Sequence, residues 1–151
     1  MRRLLLVSLA FAAGPAFGAG LQLMPGQWQF VGRVTHAEIP GAPPAMLKMM
    51  MQKPTNVSMC ITPEQAARDP RSVFGKTQGR CDYKNFQMSG GKLAMVMSCR
   101  QPDGGAMEVS TTGTYSPTGY ATHSTMVSSG ARGRMTMVTD GIGKRLGPCA
   151  K

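Results

Sequence analysis

Fourteen methionines in 151 residues are the side chains of this sequence best placed to do chemistry. They gather as Met49-Met50-Met51, Met95-Val96-Met97 and Met135-Thr136-Met137. Thioethers are soft donors that select Cu(I). Two methionines one residue apart on a strand point to the same face, where they could share an ion. His36 and His123 are the only imidazoles available to help. The same residues also suit packing, because methionine fills irregular cores and adaptable binding surfaces. Met95 and Met97 continue an apolar face with Leu93, and Met46, Met49 and Met50 recur at helical spacing. Packing ranks first for these side chains, an apolar ligand surface second and copper third; no cofactor is expected.

Cys60, Cys81, Cys99 and Cys149 form no C-x-x-C motif and have no histidine at ligand spacing, so structural disulfides outrank a metal or redox site. Four cysteines allow three pairings. A hairpin looped at Ser89-Gly90-Gly91 would oppose Met88 to Lys92, and counting outward brings Cys81 opposite Cys99, within disulfide reach. Cys60–Cys149 then ties the C-terminus to the first half.

Catalysis has less support. A histidine base needs a nucleophile or an orienting carboxylate beside it. His123 falls on the polar face of its strand, opposite Thr112, with Glu108 on that face several residues away. There is no G-x-S-x-G, no H-E-x-x-H and no carboxylate pair at useful spacing. The chain is not expected to be an enzyme.

The elements that must position these residues begin after an export signal. Arg2 and Arg3 precede the apolar run Leu4 to Ala13, and Ala16-Phe17-Gly18 offers small residues to a signal peptidase. The run is too short to span a bilayer. Cleavage after Gly18 leaves residues 19–151 as a single disulfide-bonded, β-rich domain, periplasmic or secreted, with no transmembrane segment. Seventeen basic and seven acidic side chains give a net charge of +10, and loss of Arg2 and Arg3 lowers it to +8. The basic residues are scattered, which argues against nucleic acid and for a solvated surface drawn to anionic envelope components.

Along the mature chain, Ala19 to Pro25 reads as a loose lead-in. From Gln27 the alternation is period two, with Trp28, Phe30 and Val34 on one face. Pro40-Gly41-Ala42-Pro43-Pro44 ends that strand. Ala45 to Lys53 reads as a short helix bounded by Pro44 and Pro54. Thr55 to Cys60 is a strand, and Thr62-Pro63-Glu64-Gln65 opens a one- or two-turn helix with a capping box. Asp69 to Arg80 reads as a polar loop. Strands follow at Asp82 to Met88, Lys92 to Cys99, Ala106 to Tyr115 and Tyr120 to Ser128. The turn Ser116-Pro117-Thr118-Gly119 sets Tyr115 against Tyr120 and Val109 against Met126. Arg134 to Thr139 is a last strand before a glycine-rich tail. The expected fold is mainly β: an antiparallel meander forming a curved sheet or partly closed barrel, with one or two short helices and two disulfides.

The landmarks resemble the small exported bacterial proteins grouped as domain of unknown function 3617. They are Pro25-Gly26-Gln27-Trp28, the Pro- and Met-rich stretch Pro43 to Pro54, Cys60-Ile61-Thr62-Pro63-Glu64, the hairpin between Cys81 and Cys99, Gly113-Thr114-Tyr115, Met135-Thr136-Met137 and Gly147-Pro148-Cys149. The resemblance covers essentially the whole mature chain. It implies export and disulfides, and it carries no activity or catalytic residues.

The functional expectation is a non-enzymatic, monomeric binding domain for an apolar small molecule, a lipid-like ligand or an envelope partner. Met46, Leu47, Met49 and Met50 of the helix, with Trp28, are the candidate ligand residues, the helix acting as a flap over the open side of the sheet. The alternative is a copper-handling protein using Met49, Met50, Met51, Met95, Met97, Met135 and Met137. A structural envelope protein without ligand is the third.

Overall fold

The computed structural model describes residues 23–68, 71, 80–102, 104–131 and 133–150. The export signal at 1–18, the start of the lead-in at 19–22 and nearly all of the polar loop between 69 and 80 lie outside the described residues.

Among the described residues, seven strands form one antiparallel sheet: β1 (Gly26–Glu38), β2 (Thr55–Ile61), β3 (Cys81–Ser89), β4 (Lys92–Arg100), β5 (Ala106–Ser116), β6 (Gly119–Gly130) and β7 (Gly133–Gly147). The order across the sheet is β2-β1-β7-β6-β5-β4-β3. The second half is therefore a meander, and its last strand pairs with the first strand of the chain. β2 and β3 remain the two edges, so the sheet is curved and not closed. Two short helices, α1 (Pro44–Gln52) and α2 (Pro63–Arg68), flank β2 in sequence.

Period-two alternation puts the aromatic and methionine side chains of the strands on one face, which the sheet wraps inward. One continuous row crosses six strands as Tyr83, Met97, Val109, Met126, Met137 and Ala37. A second runs Tyr115, Tyr120, Gly143, Phe30 and Val57. Cross-strand neighbours of this kind are the unit of sheet stabilisation, each contributing about 0.2–1 kcal/mol.

The core gathers at one end of this inner face. Leu23, Trp28, Ile61, Leu93 and Tyr115 are buried together, with Met59, Ala66, Phe86, Met88 and Tyr120 against them. These residues come from both edges of the sheet and from α2, so the curl draws β2 and the β3–β4 hairpin toward each other here. Trp28 is the anchor at 1% exposure, and its indole N–H donates to the Met24 carbonyl at 3.0 Å. Truncating a buried tryptophan costs about 3–5 kcal/mol. The capping box forms as the sequence requires: the Thr62 amide donates to Gln65 Oε1 at 2.9 Å, and the Gln65 amide donates to Thr62 Oγ1 at 3.2 Å. Cys81 is bonded to Cys99 and Cys60 to Cys149.

Three expectations need correction. The last strand does not stop at Thr139; β7 continues to Gly147. Its glycines are sheet positions where aromatic rings lie across the backbone. Gly143 stands opposite both Phe30 and Tyr120, and a Cβ on Gly141 would come within 2.8 Å of the Phe30 ring. Second, the described part of the lead-in is not loose. Leu23 is buried, the Met24 amide donates to the Pro117 carbonyl at 2.8 Å, and Arg145 Nε donates to the Pro25 carbonyl at 2.8 Å. Third, the β3–β4 loop is two residues, Gly90-Gly91, both at positive φ, so Ser89 opposes Lys92. An irregularity between Tyr83 and Asn85 shifts the register back by one residue, and Cys81 faces Cys99 after all.

Candidate functional site

α1 is built to be placed rather than to be stable alone. Pro43 enters in an extended conformation and Pro44 fixes the first turn, but no side chain caps the helix and no acid sits in its first turn. Nine residues are too few for an isolated helix in water, so packing must hold it. It packs against β1, yet none of its residues is buried. The half-buried Leu47, Met50 and Met51 mark its inner side. The helical spacing of Met46, Met49 and Met50 suggests one packed face, but Met46 and Met49 are 38% and 51% exposed. Proline supplies the reason: the chain enters through Pro40 to Pro44 and leaves at Pro54, and those turns fix which side of a two-turn helix meets the sheet.

Between this segment and the end of the sheet away from Trp28 lies a cavity of about 370 Å³. The loop Ile39, Pro40, Gly41, Ala42 and Pro43 forms one wall with Met46, and Gln101, Ser128, Gly130, Gly133 and Met135 form the other. Gln101 Nε2 donates to Ser128 Oγ at 2.5 Å, and the wall mixes this polar pair and glycine backbone with the apolar side chains of Ile39, Pro40, Pro43, Met46 and Met135. From there the inner face continues as Met107, Met126, Met135 and Met137, all half-buried.

The candidate ligand residues are not brought together as a set. Met46 lines the cavity, whereas Leu47, Met49 and Met50 lie elsewhere on α1. Trp28 belongs to the core cluster and not to the cavity wall. The candidate metal ligands are divided as well. Met49, Met50 and Met51 are on α1, Met95 and Met97 on β4, and Met135 and Met137 on β7 with two strands between. Across strands, however, Met126 stands directly opposite Met137, a pairing that only register reveals. No group of three or more His, Cys, Asp or Glu side chains could hold a metal among the described residues.

The outer face carries the ionisable row. Arg33, Asp140, His123 and Thr112 are successive cross-strand neighbours, and His123 Nδ1 lies 2.6 Å from Asp140 Oδ1. Sequence reasoning placed His123 opposite Thr112 but missed Asp140, because the strand was expected to stop at Thr139, just before it, whereas β7 runs on to Gly147. Both partners are more than half exposed, and neither lines the cavity. An exposed pair in water gains little from its charges. Elsewhere, hydrogen bonding to Thr62 and to its own backbone amide holds the Glu64 carboxyl below its usual range, and burial raises the Tyr120 phenol above its usual value.

A family model described as Protein of unknown function (DUF3617) matches residues 23–149. No curated protein and no solved structure matches the chain.

Proposed function

The chain belongs to the DUF3617 family, and we propose that it is an exported, non-enzymatic binding protein, periplasmic or secreted and monomeric, that holds an apolar, lipid-like molecule between α1 and the inner face of its sheet. One observation supports this reading above others. The loop leading into a methionine-rich helix with no buried residue, together with Met46 of that helix, walls a cavity of about 370 Å³ whose far side, at Met135, continues into a row of half-buried methionines. Pockets of this volume with mostly apolar walls are suited to small apolar ligands, and methionine adapts its shape to them at little cost. Two disulfides fit an oxidising compartment.

The test is binding of a fluorescent fatty acid to the purified protein in solution. Replacing Met46 and Met135, the methionines of the two cavity walls, with serine removes apolar side chains worth about 1.5–3 kcal/mol each when fully buried. Affinity should fall at least about a hundredfold, while circular dichroism reports an intact sheet. Retained affinity in the folded variant overturns the cavity reading.

A second reading, Cu(I) held by thioethers, has its own supporting observation: Met126 opposite Met137, with Met135 two residues further along the same face. It predicts Cu(I) retained against a competing chelator and lost on Met126→Leu. A structural envelope protein without ligand predicts a blank in both assays.

A further inference from the structure

Resting on the cavity reading above, we propose that α1 is also the element that docks this protein on an anionic lipid bilayer, so that the cavity opens toward the membrane surface. The helix Pro-Ala-Met-Leu-Lys-Met-Met-Met-Gln is apolar on both sides, and the chain itself covers only one of them. Leu47, Met50 and Met51 are half-buried, while Met46 and Met49, one turn apart, face outward. The charges on the helix and its C-terminal flank are Lys48 and Lys53, both exposed and both basic, with no acidic residue between Pro40 and Pro63. Outward thioethers flanked by lysines match the two layers of an anionic membrane surface, its acyl boundary and its headgroups. The net charge of +10, or +8 after loss of the signal, favours approach to such a surface.

The placement of the cavity makes docking useful. Met46 and Pro43 belong both to the docking segment and to the cavity wall, so a molecule leaving the bilayer beside α1 meets the opening directly. Among the other exposed aliphatic side chains, which include Met24 and Val57, the two most exposed are Ile142 and Leu146 at 64% and 57%; they lie on β7, on the outer side of the sheet and outside the cavity lining. They supply the internal control.

The experiment is co-sedimentation of residues 19–151, disulfides intact, with vesicles of phosphatidylcholine alone or mixed with phosphatidylglycerol. Binding is expected to the mixed vesicles and to be weak on phosphatidylcholine. Met46→Ser with Met49→Ser should lower it at least about tenfold, since each methionine loses its apolar insertion. Lys48→Glu with Lys53→Glu should lower it by roughly tenfold or more and abolish the preference for anionic lipid. Ile142→Ser with Leu146→Ser should leave it unchanged. Absence of vesicle binding by the unaltered protein overturns docking, and so does loss in the Ile142, Leu146 variant with retention in the α1 variants. Binding of the soluble fatty-acid probe without vesicle binding leaves the cavity standing and removes docking. Vesicle binding with no affinity for the soluble probe does the reverse.

Discussion

Gly143 offers the sharpest test of how the inner face is assembled. A Cβ built there falls inside the van der Waals envelope of Tyr120 Cζ and Cε1 and 2.7 Å from Cδ1. The ring cannot simply swing away, because it stacks on Trp28 at 5.8 Å between centroids and on Phe30 at 6.3 Å. Gly143→Ala must therefore displace an aromatic ring against the most buried side chain of the core. Overpacking of this kind costs about 1–3 kcal/mol, and disturbing the stack adds about 0.5–1.5 kcal/mol. The expected loss is about 2–4 kcal/mol, read as a lower urea midpoint with unchanged slope. Removing the ring isolates the cause. In a Tyr120→Ala background the ring that supplies the three nearest atoms is gone, so Gly143→Ala should cost less than about 0.5 kcal/mol there, a coupling of about 1.5 kcal/mol or more. A cost below about 0.5 kcal/mol in the native background, or equal costs in both, would refute the aromatic-over-glycine account of β7.

The two disulfides should differ in worth by the loops they close. With separations of 89 and 18 residues, chain entropy gives about 4.6 kcal/mol for Cys60–Cys149 and about 3.2 kcal/mol for Cys81–Cys99. Double serine variants compared by urea unfolding should show the larger loss for the first, and a reversed order would set the entropy argument aside. Alkaline pH should destabilise through Tyr120. Burial raises its phenol in the folded chain, so the unfolded chain releases that proton first. The stabilisation is complete below about pH 10 and declines as pH rises toward the folded value. Tyr120→Phe should lack this decline in midpoints measured between about pH 9 and 11, and a parallel decline in both proteins assigns it elsewhere.

Much of the fold was legible because its signals are local. Trp28, Phe30 and Val34 alternate against polar neighbours, Thr62 and Gln65 stand at capping-box spacing, and Ser116 to Gly119 forms a turn that sets Tyr115 opposite Tyr120. Each depends on a few adjacent side chains and on backbone sterics common to all chains. The Cys81–Cys99 pair shows where local counting runs thin. A loop one residue shorter than expected and a one-residue irregularity near Lys84 offset each other, so the pairing was reached although the register near the turn differs. The glycines of β7 were opaque for a different reason. Gly141 and Gly143 look like a flexible tail until Phe30 and Tyr120, from strands more than a hundred and more than twenty residues away, are laid across them.

The site divides along the same line. By itself the sequence determined that a short, proline-bounded, methionine-rich helix would follow the first strand, that strands would dominate, and that four cysteines would make two structural bridges. Composition and period carry that information. Only the tertiary structure decided that β7 lies between β1 and β6, which brings Ile39 to Met46 against Gln101, Ser128 and Met135 and leaves a cavity between segments far apart in sequence. It also decided which methionines are covered. Burial depends on what arrives from elsewhere in the chain, and α1 meets β1 with Leu47, Met50 and Met51 while Met46 and Met49 are left to the surroundings.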